Sequence, residues 1–274
     1  GLLRGSVGVD AAIDRNISGY NRFIFLVVYK KMLNILLRDQ DFIFCFPSKI
    51  ASKMYRATGW LAPANIFLFK KIIRRNKSNP ELLRLISKAR NKTLDSRDFF
   101  TWDVGLRLVE VVRPTKALVR FISSVSNKFT MITVRDSGYL TWRFFSCPTH
   151  KYSAYLLKKG CEILGFIVLR ISRERGLKIG CIVDIVADPD RIENFVFMLL
   201  SGIKIFRETG VDVVSAVASH KSLQRALYDT GFFVDSLVDF AVYTRDPRID
   251  KSLKDNPHGW FITMGDGDYN MEDR

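Results

Sequence analysis

Chemistry in this chain has to come from a few polar side chains set among apolar neighbours. Asp184 lies inside the run Ile182-Val183-Asp184-Ile185-Val186. Burial there raises a carboxylate's pKa and suits it to act as a general base. Its plainer reading is a structural hydrogen bond to a neighbouring helix. Trp142 and Arg143 adjoin on a short helical stretch and could line a pocket for an acceptor; alternatively the Trp packs in the core and the Arg pairs nearby. Gly265-Asp266-Gly267-Asp268 could touch a sugar hydroxyl or an amine, or simply form an exposed terminal turn.

Other chemistries find less support. Cys45, Cys147, Cys161 and Cys181 contain no C-x-x-C, and His150, His220 and His258 are far apart, so no metal is expected. Four cysteines without a pairing pattern fit a reducing cytosol. The chain carries 43 Lys and Arg against 28 Asp and Glu. Residues 1–128 hold 24 of the cations and 9 of the anions, so the whole excess sits in the first half. An anionic ligand, an anionic membrane surface or a solvated basic face would each account for it. The cations come as scattered pairs such as Lys70-Lys71 and Arg74-Arg75, without a recognisable binding module, which argues against nucleic acid.

With 47% apolar residues the chain can bury a core, which excludes wholesale disorder. No apolar run approaches the roughly 18–20 residues of a membrane span. Phe23 to Tyr29 comes nearest and is closed by Lys30 and Lys31. No apolar segment of a signal peptide follows Arg4, so a cytoplasmic protein is expected.

The elements that must position these residues repeat. Segment 41–46 reads as a buried strand, followed by a short helix from Ser48 to Thr58 that Gly59-Trp60 ends. Segment 212–217 reads the same way, with a helix from Ser219 to Thr230 ended by Gly231-Phe232. Each is followed by another strand, Ile66–Ile73 and Val234–Tyr243. Each is preceded by a strand, a polar corner and a long helix. These are Ser6–Ala11, a corner at Asp14–Gly19 and Tyr20–Arg38 in the first copy. In the second they are Gly180–Ala187, Asp188-Pro189-Asp190 and Arg191–Glu208. Two related α/β units are the simplest account.

More material precedes the second unit. A strand at Leu106–Val112, helices at Thr115–Ser126 and Ser137–Phe145, and a meander of three strands through 152–186 lead into the long helix. The expected domains are therefore 1–75, a basic linker with a short helix over 76–98, and 99–274. The first unit lacks the opening strands and helices of the second, and the chain starts at Gly1, so a lost beginning is expected.

Strand, helix, helix, three-strand meander, long helix, strand, helix, strand is an order similar to that of the GNAT N-acyltransferases. Several phrases resemble tandem GNAT-like proteins linked to surface polysaccharide synthesis: Arg135-Asp136-x-x-Tyr139-Leu140-x-Trp142-Arg143, Pro148 with Tyr152, the FIFCFPS run at 42–48, and Trp260 with Gly265-Asp266-Gly267-Asp268. The resemblance implies an α/β (α+β) fold with two mixed sheets flanked by helices, the first copy incomplete. In each sheet two central parallel strands would splay into a cleft for the pantetheine arm of acetyl-CoA or another acyl-CoA. It implies transfer of the acyl group to a small amine, an amino sugar being one candidate, without a metal.

Residue by residue, the resemblance assigns the cofactor to the first unit. Val7 and Val9 would flank the arm, and Arg15, Ile17, Ser18, Gly19 and Tyr20 would cradle the pyrophosphate at the start of the long helix; otherwise Arg15 is a solvated loop cation. Ser18 and Tyr20 replace the small residues usual in that turn. Met54-Tyr55-Arg56-Ala57-Thr58-Gly59-Trp60 matches Leu-Tyr-x-x-x-Gly-Phe, which makes Tyr55 the acid that protonates the leaving thiolate; otherwise it is a partly buried helix aromatic. The second corner has Pro189 and two carboxylates, which repel a pyrophosphate, and Leu227 fills the tyrosine slot. The expectations are thus an acyl-CoA-dependent N-acyltransferase, or a non-catalytic tandem binding module. A basic nucleic-acid or membrane binder is a weaker third.

Overall fold

A computed structural model of the chain describes residues 5–7, 31–38, 40–47, 49–62, 66–74, 79–90 and 105–267. They divide into two compact units. The smaller comprises Gly1–Asn65 with Val238–Pro257, and the larger Ile66–Leu237 with His258–Arg274.

The smaller unit holds a three-stranded sheet. β1 (Gly5–Val7) runs parallel to β2 (Phe42–Cys45), and β11 (Ala241–Thr244) closes the other side of β2 in antiparallel register. Residues 31–36 form a helix (α1), the end of the expected long helix; its beginning, and the corner at 14–19, lie outside the described residues. α2 (Lys49–Ala57) follows β2 and ends at Gly59, whose φ of 90° only glycine adopts without strain. Leu33, Ile43, Cys45, Tyr55, Trp60 and Ala241 pack together as its core.

A seven-stranded sheet forms the larger unit, in the order β10 (Phe233–Leu237), β3 (Phe67–Ile72), β9 (Val213–Ala218), β8 (Leu177–Ala187), β7 (Glu162–Glu174), β6 (Ser153–Lys159) and β4 (Leu106–Val111). Its meander is β6 (Ser153–Lys159), β7 (Glu162–Glu174) and β8 (Leu177–Ala187), joined at its outer edge by β4 (Leu106–Val111). α6 (Ile192–Glu208) returns the chain to β9 (Val213–Ala218), parallel to β8. α7 (Lys221–Asp229) then leads to β10 (Phe233–Leu237). Phe195, Met198, Leu199, Ile203 and Phe206 of α6 are buried against Leu169, Ile182, Val214 and Ala216 of the sheet. α6 lies so close to β8 that a Cβ on Gly180 would sit 2.6 Å from the Phe206 ring.

Two features depart from the expected connectivity. β3 (Phe67–Ile72), which follows the first repeat, lies between β9 and β10 of the larger sheet. The expected strand Val234–Tyr243 is two strands: β10 stays in the larger sheet, while β11 pairs with β2 in the smaller one. Each unit thus takes its closing strand from the other half of the chain. Periodicity marks such strands as buried but is silent about their partners.

Helix α3 (Pro80–Arg90) is capped by Asn79, whose Oδ1 accepts the N–H groups of Glu81 and Leu82. It is held beside β10 by Asp235, which occupies a bulge between Val234 and Ser236 and takes Lys70, Arg84 and Lys88. Burial pushes the Asp235 carboxyl up, but these cations outweigh burial and hold it well below the usual carboxylate range.

Candidate active-site fork and its closing segment

In the larger unit the central parallel strands do part. β8 and β9 are paired only from Ile179↔Val213 to Ile182↔Ala216. Beyond that, β8 stays on β7 as far as Ala187↔Gly165 and leaves β9 behind. The register between β7 and β8 shifts where Val168 faces Asp184 and Leu169 faces Ile182, so Val183 is an extra residue on β8. A bulge bends its strand and re-aims the neighbouring side chains. It falls at the first residue of the opening, beside Asp184.

The fork does not stand open. β12 (Trp260–Phe261) runs parallel to β5 (Met131–Ile132), and the chain continues through residues 262–266 between the two parted strands. On the β9 side Thr263 bridges to Ala218, the Ser219 N–H donates to the Ile262 carbonyl, and the Ile262 N–H donates to Ser219 Oγ at 2.8 Å. Ser219 Oγ in turn donates to the Trp260 carbonyl. On the β8 side, the Cβ position of Gly265 would lie 3.2 Å from the Val183 carbonyl oxygen and 3.4 Å from the Asp184 side chain.

A buried ionic cluster fastens that segment. Arg135 donates through Nε to Asp184 Oδ2 at 2.7 Å and through Nη2 to Asp184 Oδ1 at 3.0 Å. The same Nη2 reaches both oxygens of Asp266 at 3.1 Å, while Nη1 donates to the Thr133 carbonyl at 2.9 Å. Thr263 Oγ1 donates to Asp184 Oδ1 at 3.0 Å, and the Thr263 N–H donates to Asp266 Oδ2 at 2.8 Å, part of a capping box. Burial would lower the Arg135 pKa, but Asp184 and Asp266 more than offset it and raise it. A second cation joins from the turn 141–145, a π-helical turn that follows α5 (Ser137–Leu140). Arg143 Nε donates to the Gly265 carbonyl at 2.9 Å and Nη2 to the Gly267 carbonyl. Tyr139 donates to the Gly265 carbonyl at 3.1 Å, and burial raises its phenol's pKa.

These contacts decide how the candidate residues sit. Asp184 has both oxygens committed to Arg135, Thr263 and its neighbour's amide, Ile185 N–H at 3.0 Å. In this arrangement Asp184 holds the closing segment in place through Arg135 and Thr263. Arg143 is buried with its Nε and Nη2 donating to carbonyls, whereas Trp142 beside it is 70% exposed. The π turn sends the two side chains to different places. Gly265 and Asp266 are buried, not an exposed turn, while Asp268 lies outside the described residues. Arg135, which the sequence offered only as part of a family-like phrase, and Thr263, which it did not single out, complete the cluster, although the Thr263-x-x-Asp266 spacing is a legible capping signal.

At the corner after β8, Asp188 accepts the Asp190 N–H at 3.0 Å, and Lys128 bridges Asp188 and Asp190 at 2.7 and 2.8 Å. The corner therefore presents bound carboxylates where a pyrophosphate would need bare amides. A cavity of ≈ 530 Å³ opens beside it, lined by Arg120, Arg191, Asn194, Asp188 and Glu162 among others.

In the smaller unit, β1 and β2 make three parallel pairs, from Gly5↔Phe42 to Val7↔Phe44. Tyr55 lies on the helix after β2, buried, with its ring 4.7 Å from that of Trp60. Val7 is in β1, while Val9, Arg15, Ile17, Ser18, Gly19 and Tyr20 lie outside the described residues. Among the described residues no cluster of His, Cys, Asp and Glu could hold a metal, and no helix is long and apolar enough to cross a membrane.

No family model matches the sequence, and no curated protein does. Solved structures do. A GCN5-related N-acetyltransferase from Anabaena variabilis matches with a TM-score of 0.53 at 13% identity, over 81% of this chain and 50% of its own. The N-myristoyltransferase of Saccharomyces cerevisiae, solved with myristoyl-CoA and inhibitors bound, matches with a TM-score of 0.53 at 10% identity, over 85% and 58%. A probable N-acyltransferase of unknown function from Enterococcus faecalis gives 0.50 at 14% identity, over 84% and 51%. The chain spans 50–58% of the length of these proteins. Sheet order, the parting of the parallel strands and these likenesses together identify the fold as that of the GCN5-related N-acetyltransferases.

Proposed function

We propose that this chain is part of an acyl-CoA-dependent N-acyltransferase of tandem GNAT architecture whose working site lies in the smaller unit. The reading is supported by the order of β1, β2 and α2, which is that of β8, β9 and α7, and by Tyr55 on α2, to which the family resemblance gives the part of leaving-group acid. The acyl-CoA bound by the yeast neighbour supports the choice of co-substrate.

In this mechanism Val7 and Val9 offer backbone groups to the pantetheine arm. Arg15 and the amides of Ile17, Ser18, Gly19 and Tyr20 receive the pyrophosphate. The acceptor amine loses its proton to an ordered water and attacks the thioester carbonyl. A strand amide steadies the oxyanion, and as the C–S bond breaks Tyr55 gives its proton to the thiolate. The acyl group is acetyl and the acceptor a small amine, an amino sugar destined for surface polysaccharide being the first to try. The reaction belongs in the cytoplasm, where acetyl-CoA is made. Calorimetric titration with acetyl-CoA tests the reading: heat of binding at micromolar to millimolar cofactor is expected, and none at millimolar cofactor withdraws it.

A second reading has its own support. The closed fork and the acidic corner of the larger unit suit a non-catalytic GNAT-like binding module. Binding of acetyl-CoA without turnover of any amine in a broad acceptor screen would favour it.

A further inference from the structure

We infer that the fork of the larger unit is filled permanently by the chain's own segment 260–266, which takes the space of a cofactor arm and excludes acyl-CoA from that unit. Three independent contacts carry the assignment. The segment bonds the end of β9 through Ala218 and Ser219, and it abuts the open edge of β8 at Val183 and Asp184. It is also clamped at its far end, where Arg143 and Tyr139 hold the Gly265 carbonyl.

The electrostatics explain why the occupant stays. Asp184 belongs to the β8 wall of the fork and Arg135 to the segment after β5, and both are completely shielded from solvent. Asp266 brings the second carboxylate to the guanidinium. Withdrawing the segment would strip Arg135 of one of its two anions and leave the Asp184 pair facing a vacated groove, so release has to expose or unpair buried charge. A thioester arm carries amides but no charge that could replace Asp266. Arg135 is accordingly a positioning residue, acting through Asp266 to seat the peptide.

This inference leans on the proposed function only in naming acyl-CoA as the excluded ligand, and hydrogen exchange of the full chain separates the two. The amides of Ile262, Thr263 and Asp266 should exchange within about tenfold of the β8 amides Ile182 and Val186, as one cooperative unit does. Saturating acetyl-CoA should leave them unchanged. Exchange more than about a hundredfold faster than β8, or acceleration by acetyl-CoA of more than about tenfold, overturns the assignment. Should acetyl-CoA fail to bind anywhere, the transferase reading falls while the first comparison still decides the occupancy. Asp266→Asn keeps the shape and removes the charge; it should speed exchange across 260–266 by at least about tenfold while Phe166 to Leu169 in β7 stay protected. Equal exchange of 260–266 in variant and parent would remove the latch.

Discussion

Arg135 Nε meets Asp184 Oδ2 at 2.7 Å with neither side chain reaching solvent. The two residues are 49 positions apart, one in the segment after β5 and the other at the bulge of β8. An ion pair taken wholly out of water is stable only while every partner is present.

Arg135→Ala should destabilise the chain by about 3–5 kcal/mol, since it strands two buried carboxylates. Arg135→Lys should recover only part of this, because an ammonium lacks the planar fork that serves Asp184 and Asp266 together. Urea denaturation of the three proteins gives the comparison. A loss under about 1 kcal/mol for the alanine variant would mean that the cluster is solvated.

Asp184→Asn separates structure from catalysis. With Asp184 a structural partner, the variant should unfold at lower urea while the pH dependence of turnover keeps its shape. A missing acidic limb in the pH–rate profile, with stability retained, would restore the carboxylate as a base.

Tyr55→Phe bears on the proposed chemistry in the smaller unit. Turnover should fall by about 10²–10⁴-fold with acetyl-CoA affinity retained, the signature of a lost general acid. Undiminished turnover would leave Tyr55 as a core aromatic beside Trp60.

His220 supplies a pH test. Its Nδ1 accepts the Ser222 N–H at 3.2 Å and so caps α7, which requires the ring to be neutral. Burial, then the charges of Lys221 and His258, lower its pKa from 6.5 to about 4. The unfolded chain therefore takes up a proton at a pH where the folded one does not. The resulting stability is complete above pH 6.5 and is lost as pH falls toward about 4. His220→Asn, which keeps a cap without titrating, should flatten stability across that window in urea midpoints measured at successive pH values.

Two glycines of the sheet should respond differently to alanine. At Gly180 the new methyl would lie 2.6 Å from the buried Phe206 ring, which cannot swing away, so about 1–3 kcal/mol is expected. At Gly165 it would meet the Sδ and Cε atoms of Met198 at 2.7 Å, the far end of a flexible side chain, and less than about 1.5 kcal/mol is expected. Thermal melts of both variants measure the difference.

Much of the fold was legible because its signals are local. The apolar run of β8, the long helix α6 after the corner at Pro189, and α4 (Lys116–Ser126), expected over Thr115–Ser126, are visible in a few consecutive residues. The buried setting of Asp184 was equally plain from its neighbours. Its partners were not, because nothing near Asp184 points to Arg135 or to Thr263, 79 positions further on. The sheet assignments of β3 and β11 failed to show for the same reason: alternation tells which face of a strand is apolar, not which strand lies alongside it.

The exchange of closing strands has a consequence for synthesis. Phe42, Ile43, Phe44 and Cys45 present one bare hydrogen-bonding edge until Ala241–Thr244 emerges, and the Thr244 hydroxyl finally reaches the Asp41 carbonyl 203 positions back. Until then the nascent protein must carry an oily, unzipped ribbon, which is the kind of surface a chaperone holds and a neighbouring nascent copy can invade.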